Sequence, residues 1–236
     1  MHQSKWLIVT TTVTARAHPK GAPLLPPAVA YVVLAVGGVI GPPLAAGQAP
    51  CSSDADLLGF YTHGGAAHLL AFLILASAVP FAVCTAIASH RVRAAGLEVP
   101  GPLIALVGGA IAAGMLALSG LCSLALTETQ VAQSPSVVRG LNALAFAAGG
   151  PGFVVFSGLL VAGISIPLLV GHLAPRWIGW FGLATAAVCE VASLTAATAA
   201  LNPLLPLGRF ATMAWLLAVA ATLSTARHAE QERDRP

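Results

Sequence analysis

Six long apolar stretches, separated by short polar segments, make up most of this chain of 236 residues. A helix needs about 20 apolar residues to cross the hydrocarbon core of a bilayer. The segments between the stretches contain Gly, Pro, Ser and Asp, which favour turns. The pattern therefore predicts an all-α membrane protein, a bundle of about six transmembrane helices. The predicted spans are Pro27–Ala46, Ala66–Ser89, Gly101–Leu126, Gly152–Gly171, Trp177–Leu201 and Leu207–Ala226.

The composition supports the membrane class and excludes a soluble domain. The chain is 57% hydrophobic and 8% charged, and its mean hydropathy is +0.86. Soluble domains carry about 25% charged residues, because these keep their surface hydrated. The net charge of +3 is small and dispersed, so we expect membrane lipids and no nucleic acid as partners.

The two ends of the chain are predicted to lie outside the membrane domain. Residues 1–25 form a predicted cytosolic tail, 26–227 the six-span helical domain and 228–236 a second cytosolic tail. A secretory signal needs a continuous apolar core of roughly 7–15 residues. Arg16 and Lys20 interrupt the N-terminal segment, so it does not have the pattern of a signal peptide.

The basic residues predict the orientation, because cytoplasmic loops of membrane proteins carry an excess of Lys and Arg. Six spans place both termini on the same side. If that side is the cytoplasm, only Arg139 and Arg209 among the 11 basic residues fall on the outer side. Both termini are therefore predicted to be cytoplasmic. The nine inner residues are Lys5, Arg16, Lys20, Arg91, Arg93, Arg176, Arg227, Arg233 and Arg235.

One segment is too long for a single upright span. Residues 137–171 contain Gly-Gly-Pro-Gly at Gly149–Gly152, and proline interrupts helical hydrogen bonding. We expect a broken segment near Gly149–Gly152, preceded by a short helix, Val138–Ala148, at the outer leaflet. The alternative is one long helix kinked at Pro151, since transmembrane helices tolerate such kinks.

Small residues at a spacing of four predict where helices approach each other, because lipid supplies no hydrophobic drive for helix association. In a chain so rich in Ala and Gly, such pairs also arise by chance. The pairs are Gly37 with Gly41, Ala110 with Gly114, and Gly158 with Ala162.

Ionisable groups inside a bilayer are costly, by about 2.5–3.5 kcal/mol at mid-span, and therefore mark candidate sites. Glu190, in the outer half of the fifth span, is the clearest of them. Ala186, Ser193 and Ala197 share its predicted helix face, which suits a helix contact or a cavity wall. Glu190 is also open to a structural interpretation, as a buried acid paired with Arg209 or His68.

The other polar groups fall mostly on the same side of the predicted bundle. We therefore expect a polar pocket in its outer half that opens outward. Arg139 and Arg209 are open to a second interpretation, as contacts to lipid head groups. The candidate ligand-binding residues are His63, His68, Glu128, Arg139, Asn142, Glu190, Asn202 and Arg209.

Three functions remain open at this stage. The first is binding or movement of a small lipophilic molecule in the outer pocket. The second is a membrane enzyme, of cyclase or isomerase type, that acts on a lipid or isoprenoid. Glu190 would then be its general acid, with His68 or Tyr61 as the proton partner. The third is a structural or regulatory subunit.

No cofactor and no metal site is predicted. His63 and His68 are five residues apart, which does not place both rings on one helix face as a zinc pair requires. Haem ligation by His68 alone would have no further support in the sequence. A disulfide between Cys51 and Cys122 is open, because no feature of the sequence sets their distance.

Three stretches resemble a family of bacterial, mainly actinobacterial, polytopic integral membrane proteins of unknown function. They are Ala67–Arg93, the segment LAFAAGGPG at Leu144–Gly152, and Pro175–Leu217 with PRWIGWFGL and PLGRFATMAWLL. The resemblance covers most of residues 55–225. It implies a six- or seven-span α-helical fold in a bacterial inner membrane, and it implies no activity.

Overall fold

The computed structural model describes residues 22–46, 54–62, 65–96 and 99–233, and this part of the chain is helical without a strand. Most of the predicted N-terminal tail, Cys51 and His63 lie outside these residues. The helices are α1 (Leu25–Ala46), α2 (Asp54–Thr62), α3 (Gly65–Ala94), α4 (Gly101–Ala125), α5 (Thr129–Ala132), α6 (Pro135–Ala147), a π-helical turn (Ala148–Gly152), α7 (Phe153–Val170), α8 (Arg176–Val191), two 3₁₀ turns (Ala192–Ala196 and Ala199–Leu201) and α9 (Leu204–Arg233).

Five helical stretches are long and apolar enough to cross a membrane, which is compatible with an integral, multi-pass membrane protein. A sixth apolar stretch, Leu25–Gly41 within α1, is shorter. The all-helical class is thus confirmed, while the sixth crossing stays a prediction. Helix α9 continues to Arg233, beyond the predicted start of the C-terminal tail at 228. The five stretches are Gly65–Ala94, Gly101–Ala125, Pro135–Val170, Arg176–Thr195 and Leu204–Leu223.

Six helices close into a ring in the order α1, α3, α4, α7, α8 and α9. Each packs against the next, and α9 returns to α1. Helix α7 also contacts α3 and α9, which places it nearest the centre of the bundle. The short helices α2, α5 and α6 gather together, with α6 packed against α4 and α2 against α3.

Three aromatic side chains fill the centre of the six-helix bundle. Tyr31 of α1, Phe81 of α3 and Phe153 of α7 are each fully buried. The ring centroids of Tyr31 and Phe81 are 4.9 Å apart, and those of Phe81 and Phe153 are 5.2 Å apart. These tilted and edge-on contacts are the favoured geometries for aromatic pairs. They join three of the six helices.

Arg91 ties three helices together at one end of the bundle. Its Nη2 donates a hydrogen bond of 2.6 Å to the carbonyl of Ala22, just before α1. Its Nη1 donates one of 3.4 Å to the carbonyl of Leu223 in α9. The C-terminal end of α3 therefore lies beside the start of α1 and the second half of α9.

We expect Arg91→Ala to lower the free energy of unfolding by about 1.5 kcal/mol, because hydrogen bonds from a charged donor are lost. Arg93→Ala is the matched control, since Arg93 has the same charge on the same helix and is exposed. The measurement is thermal unfolding in detergent. Equal shifts for the two variants would contradict the role given to Arg91.

Glycines set the closest helix contacts, but only partly at the predicted pairs. A Cβ on Gly158 would lie 2.8 Å from the Cβ of Cys189, so this predicted contact of α7 exists, with α8 as its partner. Gly114 is exposed and faces open space, so the contact predicted for it is wrong, and no atom of the described residues lies within 4 Å of an added Cβ at Gly41. A close approach between α4 and α7 joins Gly101 and Gly163, whose added Cβ atoms would each lie within 2.6 Å of the other's carbonyl oxygen.

The chain does not break at Gly149–Gly152 as expected. It stays helical from Pro135 to Val170 through the π turn, so the alternative of one long helix is nearer to the structure. A π turn adds one residue to the helical repeat and thereby accommodates Pro151, which has no N–H to donate. The hydroxyl of Ser119 in α4 donates a hydrogen bond of 2.8 Å to the carbonyl of Ala145, in the last turn of α6.

Helix α8 ends at Val191, ten residues before the predicted end of the fifth span at Leu201. The chain continues in 3₁₀ turns, in which the hydroxyl of Thr195 donates a hydrogen bond of 2.7 Å to the carbonyl of Ala192. Such local bonds of Ser and Thr compete with the α-helix. The spacing predicted that Ser193 and Ala197 share an α-helical face with Glu190. Because the α-helix ends at Val191, this prediction is wrong.

Candidate functional site

A cavity of about 220 Å³ lies where α1, the end of α6, the π turn, α7 and α9 meet. Among the residues that the structure describes, its wall is apolar except for one guanidinium, that of Arg209. It lies near the start of α9, at the end of the bundle away from Arg91. The lining residues are Val39, Phe146, Gly149, Gly150, Val154, Leu205, Pro206, Arg209 and Phe210.

Two of the three glycines of the π turn, Gly149 and Gly150, face different surroundings. A Cβ on Gly149 would lie 2.5 Å from the hydroxyl oxygen of Ser119, so the absence of a side chain allows α4 to approach. A Cβ on Gly150 would meet only Leu205 at 3.5 Å and the ring of Phe146 at 3.8 Å, which are ordinary contacts. Gly150 therefore leaves room on the cavity side of the turn. Such turns are frequent at functional sites.

Arg209 reaches from α9 over the central aromatic rings. Its Cζ lies 5.0 Å from the centroid of the Phe153 ring, within the range of a cation–π contact. Its Nε is buried and has no hydrogen-bond partner in the described part of the chain. A cation–π contact is worth about 0.5–2 kcal/mol, which compensates only part of the cost of a charge within a membrane span.

Tyr31 adds a second polar group beside Arg209. Its side chain is fully buried in the aromatic centre, and its hydroxyl makes no hydrogen bond with the residues that the structure describes. The hydroxyl oxygen nevertheless lies close enough to the Arg209 guanidinium for a loose side-chain hydrogen bond and a Coulombic interaction, although the strict geometry of a hydrogen bond is not met. Sequence reasoning missed Tyr31. The available signal was a phenol in the middle of an otherwise apolar stretch.

Tyr61 and Asn142, two of the predicted site residues, meet in a separate cluster. The Tyr61 hydroxyl donates a hydrogen bond of 3.4 Å to Oδ1 of Asn142, which joins α2 to α6. The ring of Tyr61 is buried and meets Phe60 edge-on, with centroids 5.3 Å apart. Apolar residues of α3, α5 and α6, and Leu126 directly after α4, pack around the two rings. This cluster packs α2 against the rest of the bundle.

Glu190 lies in the last turn of α8, and its side chain is exposed. Its Oε1 lies 3.1 Å from where a Cβ on Gly158 would be, so the carboxylate sits against α7. The structure records no hydrogen bond or ion pair between Glu190 and Arg209. The neighbouring Cys189 faces α9 instead, with its sulfur 3.7 Å from the hydroxyl oxygen of Thr212.

The remaining predicted site residues lie at the same end of the bundle but not in the cavity. His68 lies in the first turn of α3, Arg139 in α6, Glu128 directly before α5 and Asn202 just before α9. All four side chains are exposed. The structure thus distributes the predicted residues over the Tyr61–Asn142 cluster, the cavity at Arg209 and the surface, and does not gather them around one hollow. Their roles in binding or catalysis stay predictions.

Neither a metal site nor a disulfide appears within the residues that the structure describes. No group of three or more His, Cys, Asp or Glu side chains there is placed to hold a metal ion. Cys84, Cys122 and Cys189 are buried free thiols. The pairing of Cys122 with Cys51 lies outside what the structure describes.

No protein-family model matches the chain, and neither a curated protein nor a solved structure matches it. The resemblance to the bacterial membrane-protein family stays a prediction.

Proposed function

We propose that this protein binds a small lipophilic molecule in the cavity beside the π turn, within a bacterial inner membrane. The observation that carries the proposal is an apolar cavity whose wall contains one charged side chain, Arg209. Ligand sites in helical bundles commonly combine an apolar wall with a few polar groups that orient the ligand. The π turn, with Gly150 leaving space on the cavity side, forms part of that wall.

The size of the cavity limits what it can hold. Pockets for whole drug-sized ligands measure about 300–1,000 Å³. A cavity of about 220 Å³ suits a small molecule, or one end of a longer chain that continues into the bilayer. An acyl or isoprenoid segment fits this description.

The cavity is proposed to open toward the outer side of the membrane. Both termini are proposed to be cytoplasmic, because that orientation leaves only Arg139 and Arg209 among the basic residues outside. The cavity lies at the end of the bundle that contains these two residues. The ligand would then enter from the outer leaflet or from the outer solution.

Cysteine labelling on intact cells tests this orientation. In a Cys51→Ser background, Arg139→Cys should react with a membrane-impermeant maleimide. Arg93→Cys should react only after permeabilisation. Both positions are exposed, and the other three cysteines are buried, so the two variants form a matched pair. The opposite pattern would place the cavity on the cytoplasmic side.

Photolabelling tests the binding site. The probe is a neutral long-chain alcohol with a diazirine near the end of its chain, and the labelled peptides are identified by mass spectrometry. We expect saturable labelling within residues 146–154 and 205–210. The control surface is the apolar groove between α3 and α4 at Phe72, Val79 and Gly114, which any membrane lipid can contact. Labelling at this groove alone, without saturation at the cavity, would contradict the proposal.

A further inference from the structure

We propose that the ligand is an anionic amphiphile, with a carboxylate or phosphate bound by Arg209 and its apolar part in the cavity. The inference rests on the function proposed above and adds the chemical class of the ligand. It starts from one guanidinium, without an acidic partner in the described cavity wall, in an otherwise apolar surrounding.

Arg209 has no acidic partner near the cavity among the residues that the structure describes. No acidic side chain belongs to the cavity wall as the structure describes it. Glu190, the acid of the neighbouring helix, lies against Gly158 of α7 and makes no ion pair with Arg209. A counter-charge from outside the described chain would complete the site.

The donors at the site suit an oxyanion. A guanidinium is a planar fork of N–H donors that matches the geometry of carboxylates and phosphates. Its Nε is buried and without a hydrogen-bond partner in the described residues. The Tyr31 hydroxyl is fully buried, and its oxygen lies close enough to the same guanidinium for a loose side-chain hydrogen bond. Apart from this contact with each other, the two donors have no hydrogen-bond partner among the described residues.

The apolar cavity wall around Arg209 indicates the chemistry of the rest of the ligand. The Phe153 ring under the guanidinium and the walls from Val39, Val154 and Phe210 offer only apolar contact. A free inorganic anion would leave this wall unused, and a neutral hydrocarbon would leave the two donors without an acceptor. A molecule with an anionic head and an apolar chain satisfies both parts of the site.

The test compares three diazirine probes of equal chain length that differ only in the head group. They are a fatty acid, the phosphate monoester of the matching alcohol, and the neutral alcohol itself. We expect the wild-type protein in detergent to bind at least one of the two anions about tenfold more tightly than the alcohol, since hydrogen bonds to charged groups are the strong ones. The preferred anion distinguishes a carboxylate from a phosphate ligand.

Variants assign the preference to Arg209. Arg209→Gln should remove the preference for anions, while Arg209→Lys should retain part of it, because the charge remains without the planar fork. Tyr31→Phe should weaken the binding of the anion and leave that of the alcohol unchanged. Arg176→Gln is the control, since Arg176 is an exposed cation at the start of α8 that belongs neither to the cavity wall nor to the predicted binding residues. Thermal unfolding checks that each variant is folded.

The outcomes separate the two proposals. If the alcohol saturates the cavity as tightly as the anions do in the wild-type protein, the ligand class is wrong and the binding function stands. If none of the probes labels the cavity, both are wrong. If Arg176→Gln lowers the preference for anions as much as Arg209→Gln does, the effect is a general surface attraction, and the inference is overturned.

Discussion

Gly163→Val is expected to lower the free energy of unfolding by about 3 kcal/mol, the upper part of the usual range for overpacking. An added Cβ at Gly163 would lie 2.5 Å from the carbonyl oxygen of Gly101 and 2.7 Å from the backbone nitrogen of Ala105. Both neighbours are backbone atoms of α4, so relief requires the two helices to separate. Thermal unfolding in detergent measures the effect.

Gly114→Val provides the matched control for this prediction. Gly114 lies in α4, is exposed, and has open space where a Cβ would be. Valine has a higher helix propensity than glycine, so the control should change stability by less than about 1 kcal/mol. Similar losses in the two variants would show that the contact between α4 and α7 does not depend on Gly163.

Gly150→Leu is expected to weaken the binding of a lipophilic ligand by at least about tenfold while the protein stays folded. The first carbon of the new side chain meets Leu205 and Phe146 only at ordinary contact distance. The rest of the side chain would occupy part of a cavity of about 220 Å³. Loss of that volume excludes an apolar ligand, because protein interiors are already closely packed. Saturation labelling with the neutral diazirine alcohol measures the binding.

Gly140→Leu is the control for the cavity variant. Gly140 lies in α6, ahead of the π turn, and has no atom within 4 Å of an added Cβ. The variant Gly140→Leu makes the same chemical change outside the cavity, so photolabelling of the cavity should remain at the wild-type level. If Gly150→Leu also binds like the wild type, the cavity beside the π turn is not the binding site.

The helical stretches could be predicted from the sequence because a span depends on a local property, the length of an apolar run. Each of the five long apolar stretches in the structure overlaps a predicted span, and α1 coincides with the remaining one. The exception is the end of α8. There the composition remains apolar up to Leu201, while hydroxyl groups such as that of Thr195 close local hydrogen bonds in place of the α-helix.

The conformation at Gly149–Gly152 could not be predicted in the same way. Glycine and proline indicate that a regular α-helix is weak there, but a break, a kink and a π turn all satisfy that indication. In the structure, α4 approaches the chain closely at the π turn. Ser119 donates to the carbonyl of Ala145 and lies against Gly149, which has no side chain to prevent it.

The spacing of small residues was likewise compatible with more than one arrangement of the helices. It identified helix faces that permit close approach, and Gly158 is such a contact, whereas Gly114 is not. A face of small residues can lie toward another helix or away from it. The choice depends on the packing of the whole ring.

The sequence by itself determined the all-helical class of this protein and the positions of its long apolar helices, because hydropathy is a property of single segments. Only the tertiary structure decided which of its polar residues share a site. It separated Glu190 from Arg209 and joined Arg209 to Tyr31 and Phe153, which are distant in the sequence. Such a meeting depends on how helices rotate and pack against each other, and no local pattern encodes that rotation.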